Sequence, residues 1–366
     1  MAFGLLKHFK DIKKSANIMG QMTHADHLII GHDLGAVLKL IELKKNHAQE
    51  SVKLISSRPL NKNLLIDTYE LGVTHLRSEV AVENIYKKFY NAKIMPQKKD
   101  ACFYKDGKFH EFSGRAKSME LQPGESFFMS KGYRIKVESF FDPEDWEQLD
   151  ETLKMAVDVR HFEAIEKTLP NDLVNRNEWH LTFKDFSQMT CERLYVSQSP
   201  KRFLSYLSKR EDFTPELIDV CTSVNIQSGI AVSWKLKKEL FTEERTLFIP
   251  QSMTHEWGHF ILEFEDRESP YCHALFLIHD DEPQTEDLAS RIKLMKRVIE
   301  RVFPQFEESI LKEFIRFDEE MFISDWKDEA AEQVSFDYPT LKFVSQIAPM
   351  PSYLGQEKFM ARVLLN

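Results

Sequence analysis

Residues 24–57 constrain the fold of this chain more than any other stretch, because they combine two hydrophobic periodicities within a short distance. A short apolar run, His27 to Ile30, comes first, and a second one, Val52 to Ile55, closes the stretch. Between them, apolar residues recur at the i, i+3, i+4, i+7 spacing of one helical face: Leu34, Val37, Leu38 and Ile41. The pattern predicts a strand, a helix and a strand in about 30 residues, the beginning of a doubly wound parallel sheet.

Length, charge and aromatic content narrow the class of protein. With 366 residues the chain exceeds one typical core, so two domains or one elaborate α/β unit are expected. The net charge of −9 argues against a basic face, so no nucleic-acid partner is predicted. The 28 Phe, 10 Tyr and 5 Trp residues supply the core and would also suit a cavity for a small-molecule or hydrophobic ligand.

Two features bear on cellular location. Four cysteines lie far apart without a C-x-x-C pair, which is typical of reduced core thiols, so a cytoplasmic protein is expected; they are Cys102, Cys191, Cys221 and Cys272. No apolar run is long enough to span a bilayer, so no transmembrane segment is predicted. Residues 1–20 form a weakly amphipathic segment that either packs on its own domain or makes a weak peripheral membrane contact.

Further elements follow from local patterns. Residues 101–112 predict a β-hairpin with Asp106-Gly107 as its turn, and residues 142–169 predict one helix with an acidic start. Strands are predicted at 178–183, at 191–200, in two runs within 259–279, and near Leu341 to Val344. Helices are predicted at 78–90, at 285–303, and through Phe359, Val363 and Leu364.

Four stretches stand in a characteristic order along the chain: IIGHDLGAVLKLIEL (29–43), LLIDTYELGVTHL (64–76), CERLYVSQSPKRFLSYL (191–207) and LKFVSQIAPMPSYLGQEKFMARVLL (341–365). Together they resemble the superfamily of FAD-dependent amine oxidases, protoporphyrinogen oxidases and phytoene desaturases. A more distant similarity, in YKDGKFHEF (104–112) and TLFIPQ (246–251), is to the Rab GDP dissociation inhibitors. That family is similar to these oxidases in fold but works as a binding protein without flavin.

The resemblance implies a discontinuous α/β architecture: an FAD/NAD(P)-binding, Rossmann-like domain with an inserted mixed-sheet, substrate-like domain. The nucleotide-binding-like domain would comprise residues 24–66, 178–215 and 335–366. The substrate-like domain would comprise residues 67–177 and 216–334, and residues 1–23 would form an N-terminal amphipathic extension.

The resemblance also implies FAD as cofactor, with its site at the turn Gly31, His32, Asp33, Leu34, Gly35 and Ala36. In the motif G-x-G-x-x-G, the first glycine makes the turn, the second admits the pyrophosphate, and the third allows close helix packing. Gly31 fills the first position and Ala36 the third, but Asp33 occupies the second. Two like charges about 4 Å apart cost about 4 kcal/mol at an effective dielectric of about 20, so Asp33 is expected to repel a pyrophosphate.

The ribose contact of this motif differs as well. A carboxylate about 20 residues further on normally accepts hydrogen bonds from the ribose hydroxyls, whereas the second strand here ends in Ser56, Ser57 and Arg58. The serines would still suit a ribose and Arg58 a 2′-phosphate, which makes NADP the second candidate cofactor. RPLNKN (58–63) replaces the family's Gly-Gly-Arg-like stretch, and Ser345-Gln346 replaces its Gly-Asp pair.

These departures predict a degraded dinucleotide site. The function they favour is a non-redox binding protein for a small or hydrophobic ligand or for a protein partner. The alternative is an active FAD-dependent oxidoreductase of the amine oxidase or protoporphyrinogen oxidase type.

HEWGH, residues 255–259, is the strongest literal motif in the chain, because it matches the zinc-protease pattern H-E-x-x-H. On a helix, His255 and His259 would hold zinc and Glu256 would act as the general base. The residues that follow, Phe260 to Phe264, instead alternate with the period of two typical of a strand, on which the two histidines would lie about 13 Å apart. A zinc peptidase is therefore the least favoured function, and no metal site is expected.

Overall fold

The computed structural model describes residues 22–64, 75–77, 94–96, 102–111, 132–135, 137–167, 178–208, 210–238, 240, 246–249, 260–264, 271–278, 288–324, 334 and 337–344. The N-terminal segment 1–20, the helix predicted at 78–90, the HEWGH stretch and the helix predicted through Phe359 and Leu364 lie outside these residues.

The described strands are β1 (Thr23–Gly31), β2 (Val52–Ser56), β3 (His75–Arg77), β4 (Ile94–Pro96), β5 (Cys102–Lys105), β6 (Lys108–Glu111), β7 (Gly132–Ile135), β8 (Val157–Val159), β9 (Phe162–Lys167), β10 (Trp179–Phe183), β11 (Gln188–Ser197), β12 (Asn225–Leu236), β13 (Thr246–Ile249), β14 (Phe260–Phe264), β15 (Tyr271–Ile278), β16 (Ile310–Ser324) and β17 (Leu341–Phe343). The described α-helices are α1 (Leu34–Asn46), α2 (Pro143–Ala156), α3 (Pro200–Tyr206), α4 (Pro215–Ser223), α5 (Leu288–Val302) and α6 (Phe306–Ser309).

The first sheet has the order β8-β2-β1-β11-β10-β9, with β17 paired to β11. β8, β2, β1, β11 and β17 run parallel, while β10 and β9 are joined antiparallel at one edge. In its register, Ile29 of β1 lies beside Leu54 of β2 on one side and Tyr195 of β11 on the other. The parallel β1-α1-β2 unit and the return of β11 beside it confirm the α/β fold class.

Both faces of this sheet are covered by helices, which explains why the consecutive residues Leu28 to Ile30 of β1 are all apolar. Ile29 points to the face on which α1 and α2 lie, where Leu149 and Leu153 of α2 join the same core cluster. Leu28 and Ile30 point to the opposite face, which is covered by α3 and α4. The alternation of side chains along β1 thus places the sheet between two layers of helix.

The helix predicted over residues 142–169 ends earlier than expected. α2 stops at Ala156, and Val157 already has an extended backbone, with φ −85° and ψ 124°. Val157 and Val159 are β-branched, a class of residue that fits strands better than helices, and their strand β8 pairs with β2. Strands β8 and β9 therefore join the first sheet, although they fall in the 67–177 segment; the domain boundaries themselves stay a prediction.

The second sheet is mixed and has the order β16-β12-β15-β14-β13-β5-β6. The predicted hairpin is confirmed in β5 and β6, because Asp106 and Gly107 both have positive φ, 51° and 75°, as a two-residue type I′ turn requires. α5 buries one apolar face against this sheet, in the cluster that contains Trp234 of β12. β3, β7 and β4 form a separate three-stranded sheet.

Two predictions about the whole chain concern cysteines and membrane spans. The four cysteines are buried and form no disulfide among the described residues, and burial raises the pKa of the Cys221 thiol to about 12. Within the described part of the chain, no helix has the length and apolar character needed to cross a bilayer.

Candidate functional site

The carboxyl edge of the parallel strands is the place where this fold class binds ligands. β1 ends there at Gly31, β2 at Ser56 and β11 at Ser197. Gly31 has a φ of +142°, and a side chain at this position would place its Cβ 2.7 Å from Ser197 Cβ and closer still to the Ser197 carbonyl oxygen. Only glycine lets the two strand ends approach this closely.

Asp33 is bound into the start of α1. It is the N-cap residue, and its Oδ1 accepts a hydrogen bond from the backbone N–H of Ala36 at 2.9 Å. The Ser197 hydroxyl donates a second hydrogen bond to the same oxygen. The N-terminus of a helix is a general anion-binding position. In this chain the anion at that position is the chain's own carboxylate.

The rest of the turn belongs to the core. Leu34 and Ala36 are buried in the layer between α1 and the sheet, and Gly35 is buried beside them. Their contribution is therefore to hold α1 against β1, so that the orientation of the helix start is set by packing.

Ser56 and its neighbours form a closed turn of their own. The buried Ser56 hydroxyl donates to the carbonyl oxygen of Arg58 at 2.5 Å and accepts the Arg58 backbone N–H at 3.2 Å. Ser57 is exposed, and the Arg58 side chain is half-buried. The hydroxyl predicted to bind a ribose thus shapes the loop after β2.

His32 experiences the positive charges of three arginines. Burial and the positive charges of Arg58, Arg202 and Arg316 lower its pKa to about 4. Its Nδ1 is buried and has no hydrogen-bond partner among the described residues. The imidazole is therefore neutral at pH 7 and stands among three half-buried guanidinium groups.

Four residues of this edge were not predicted from the sequence: Ser197, Gln198, Arg202 and Arg316. Gln198 follows β11 and is 6% exposed, and its Oε1 has no partner in the part of the chain that is described. Arg202 lies in α3, directly after β11, so the position of the strand end was a usable signal. Arg316 comes from β16 of the second sheet, and no local pattern indicates that it reaches His32.

Of the predicted site residues, Arg58 and His32 lie close enough for the charge of the arginine to lower the pKa of the histidine. Gly31 ends β1, and Asp33 caps the helix that follows it. The alternative zinc ligands His255, Glu256 and His259 lie outside the described residues, whereas the strand predicted after them is present as β14.

No family model matches the sequence, and no curated protein matches it. Solved structures do match its fold. Cyclohexylamine oxidase from Brevibacterium oxydans IH-35A is 9% identical, with a TM-score of 0.60 over 93% of this chain and 96% of that one. Putrescine oxidase bound to putrescine is 9% identical, with a TM-score of 0.56 over 94% and 98% of the two chains.

A third similar structure is the CLA-producing fatty acid isomerase from P. acnes, 11% identical, with a TM-score of 0.54 over 93% of this chain and 98% of that one. At such identities the likeness concerns the fold and not the activity. The chain therefore shares its fold with these two amine oxidases and the isomerase, as the resemblance of its sequence predicted.

Proposed function

We propose that this chain is a flavin-free binding protein, which uses an oxidase-type fold to bind a small anionic molecule at the carboxyl edge of its first sheet. The observation that carries the flavin-free part of the proposal is the position of the Asp33 carboxylate. It accepts the Ala36 N–H and the Ser197 hydroxyl, two donors that a pyrophosphate at this helix terminus would need.

The turn does not fit a dinucleotide. A pyrophosphate would have to displace the Asp33 side chain or lie beside it, and two like charges about 4 Å apart cost about 4 kcal/mol, close to three decades of affinity. The group predicted to bind the ribose is also occupied, since the Ser56 hydroxyl donates its hydrogen bond to the Arg58 carbonyl oxygen in the same loop. No redox step is part of the proposed function.

The charge around His32 supports an anionic ligand. Arg58 approaches from the loop after β2, Arg202 from α3 and Arg316 from the second sheet, and all three act on the same imidazole. Arginine forms strong, charge-assisted hydrogen bonds to phosphate and carboxylate oxygens. The buried Nδ1 of His32 and Oε1 of Gln198, for which the described part of the chain offers no hydrogen-bond partner, add polar groups that a ligand would satisfy.

The test is a fluorescence titration of FAD into the wild type and three variants. Asp33→Asn removes the charge but keeps the size and capping ability of the side chain, and Asp33→Gly removes both. Asp142→Gly is the matched control, because Asp142 is also an N-cap aspartate but makes no capping hydrogen bond. We expect negligible FAD affinity in the wild type and in Asp142→Gly, and a gain of about 10- to 1000-fold in both Asp33 variants.

Tight FAD binding by the wild type would overturn the proposal and favour an active FAD-dependent oxidoreductase. A gain of FAD affinity in Asp33→Gly but not in Asp33→Asn would show that the volume of the side chain, and not its charge, prevents FAD binding. No gain in either variant would contradict the role given to Asp33 and would limit the resemblance to the fold.

A further inference from the structure

Two histidines and a glutamate meet at the opposite end of the β1-α1-β2 unit. His27 lies in β1, His47 follows the last residue of α1, and Glu50 lies in the loop before β2. His27 is four residues before Gly31, about 13 Å away along the strand, so the group is separate from the edge that carries Asp33. These three residues are called the His27 cluster.

Their possible ligand atoms converge. Glu50 accepts a hydrogen bond from His27 through Oε2, and its Oε1 lies 3.0 Å from His47 Nδ1. The two imidazole centroids are 4.7 Å apart, and one ligand atom from each residue lies within 4.8 Å of the other two. We propose that the His27 cluster binds one divalent transition-metal ion of the zinc class.

The donor set matches that class of metal. Two imidazole nitrogens and one carboxylate oxygen form a ligand set that zinc binds in proteins, and three protein ligands leave a fourth tetrahedral position to water. Bonds of about 2.1 Å to the metal place tetrahedral ligand atoms about 3.4 Å apart. Glu50 and His47 are 42% and 31% exposed in their side chains, so both can move outward by the small distance that an ion requires.

A histidine that binds metal through one ring nitrogen usually donates a hydrogen bond from the other, and Tyr195 lies in position to accept it from His27. The Tyr195 hydroxyl lies 3.1 Å from His27 Nδ1, and the two rings are stacked. Without metal, His27 donates from Nε2 to Glu50, and Tyr195 can donate to Nδ1. With metal on Nε2, the imidazole carries its proton on Nδ1, and the Tyr195 hydroxyl accepts a hydrogen bond from that N–H, because a hydroxyl can donate or accept. The fully buried His27 thus keeps a partner in both tautomers.

The backbone holds the cluster together before any ion binds. The N–H of His47 donates to Leu43 at 2.8 Å and closes α1, and the N–H of Glu50 donates to the His47 carbonyl at 2.9 Å. The N–H of His27 donates to Ser51 at 3.0 Å, which ties the loop to β1. The loop is therefore ordered by bonds that do not involve the side chains offered to the metal.

The test uses the full chain after dialysis against a chelator, titrated with Co²⁺ and then with Zn²⁺. We expect about one Co²⁺ per chain, visible d–d absorption of a tetrahedral site, and displacement by Zn²⁺. His47→Gln and Glu50→Gln should each weaken Co²⁺ binding at least about tenfold, and Tyr195→Phe by about 10- to 100-fold. Both ligand variants change partly exposed side chains, so thermal unfolding without metal should show folded protein.

Two control variants separate this site from others. His24→Gln changes a histidine of a second, solvent-facing group (His24, Asp26 and Glu192), and His259→Ala changes the HEWGH motif. Both should bind Co²⁺ as the wild type does. The proposal is wrong if the wild type shows no tetrahedral Co²⁺ spectrum, if His47→Gln and Glu50→Gln bind normally, or if the loss occurs in His259→Ala instead. None of these outcomes depends on whether the carboxyl edge binds FAD.

Discussion

The Oδ1 atom of Asp33 accepts the Ala36 backbone N–H at 2.9 Å, so the residue that departs from the dinucleotide motif is also the residue that caps α1. A hydroxyl from the neighbouring strand, that of Ser197, donates to the same atom. The carboxylate therefore links the end of β11 to the start of α1 and has a structural role at the N-terminus of that helix.

Asp33→Ala should lower the free energy of unfolding by about 1–2 kcal/mol, because it removes an N-cap and leaves the Ser197 hydroxyl unpaired. Urea unfolding followed by circular dichroism measures the change. Asp142→Ala is the control: it sits at the start of α2 without a capping hydrogen bond and should change stability by clearly less. Equal losses in the two variants would argue against the structural role of Asp33.

Gly31→Ala should be among the most destabilising small substitutions in the chain. The added Cβ would lie 2.7 Å from Ser197 Cβ, and a φ of +142° is rarely adopted by other residues, so a loss of about 3 kcal/mol or more is expected. Gly107→Ala is the matched control. Its φ of +75° is also unfavourable for alanine, but no atom of the described residues lies within 4 Å of the new Cβ. The loss of unfolding free energy, measured with a denaturant, should therefore be clearly larger for Gly31→Ala than for Gly107→Ala. The reverse order would refute the close approach of Gly31 to Ser197.

His32 should make the protein less stable in acid. Its folded pKa is about 4, below its ordinary value of 6.5. Between these values the unfolded chain binds more protons, so stability falls as the pH drops from about 6.5 to 4, by up to about 3 kcal/mol. His32→Gln should flatten this part of the stability profile, whereas His110→Gln, on the exposed hairpin, should leave it unchanged. An unaltered profile in His32→Gln would show that His32 titrates normally.

Arg202→Gln should weaken the binding of inorganic phosphate at least about tenfold, since it removes one charge-assisted contact from the region around His32. Isothermal titration calorimetry at low salt measures the affinity. Lys201→Gln, the exposed neighbour in the same helix, is the matched control and should bind as the wild type does. The same phosphate titration followed by NMR should raise the pKa of His32, because an anion stabilises the imidazolium. Equal phosphate affinity in all three proteins would contradict an anion site there.

The parallel β1-α1-β2 unit could be predicted from the sequence because its determinants are local. The spacing of Leu34, Val37 and Leu38 alone indicates one face of α1. The run Leu28 to Ile30 of β1 is apolar because helices cover both faces of the sheet. The hairpin turn at Asp106 and Gly107 was predictable for the same reason, since both residues tolerate positive φ.

The direction of the Asp33 side chain was not predictable in this way. From the sequence, Asp33 was a charge expected to face a pyrophosphate, and the second hydrogen bond to its Oδ1 comes from Ser197, on a strand far along the chain. The convergence of Arg202 and Arg316 on His32 is non-local as well, since it requires the second sheet to face the first. The early end of α2 reflects the pairing of β8 with β2, a tertiary contact that outweighs the helix predicted from Val157 onward.

The visible absorption spectrum of the freshly purified protein shows directly whether this chain binds flavin. We expect no flavin bands and no flavin released into the supernatant on denaturation, because the Asp33 carboxylate takes the donors at the start of α1. Flavin bands at about one flavin per chain, released on unfolding, would contradict it and would make this chain an FAD-binding member of the fold.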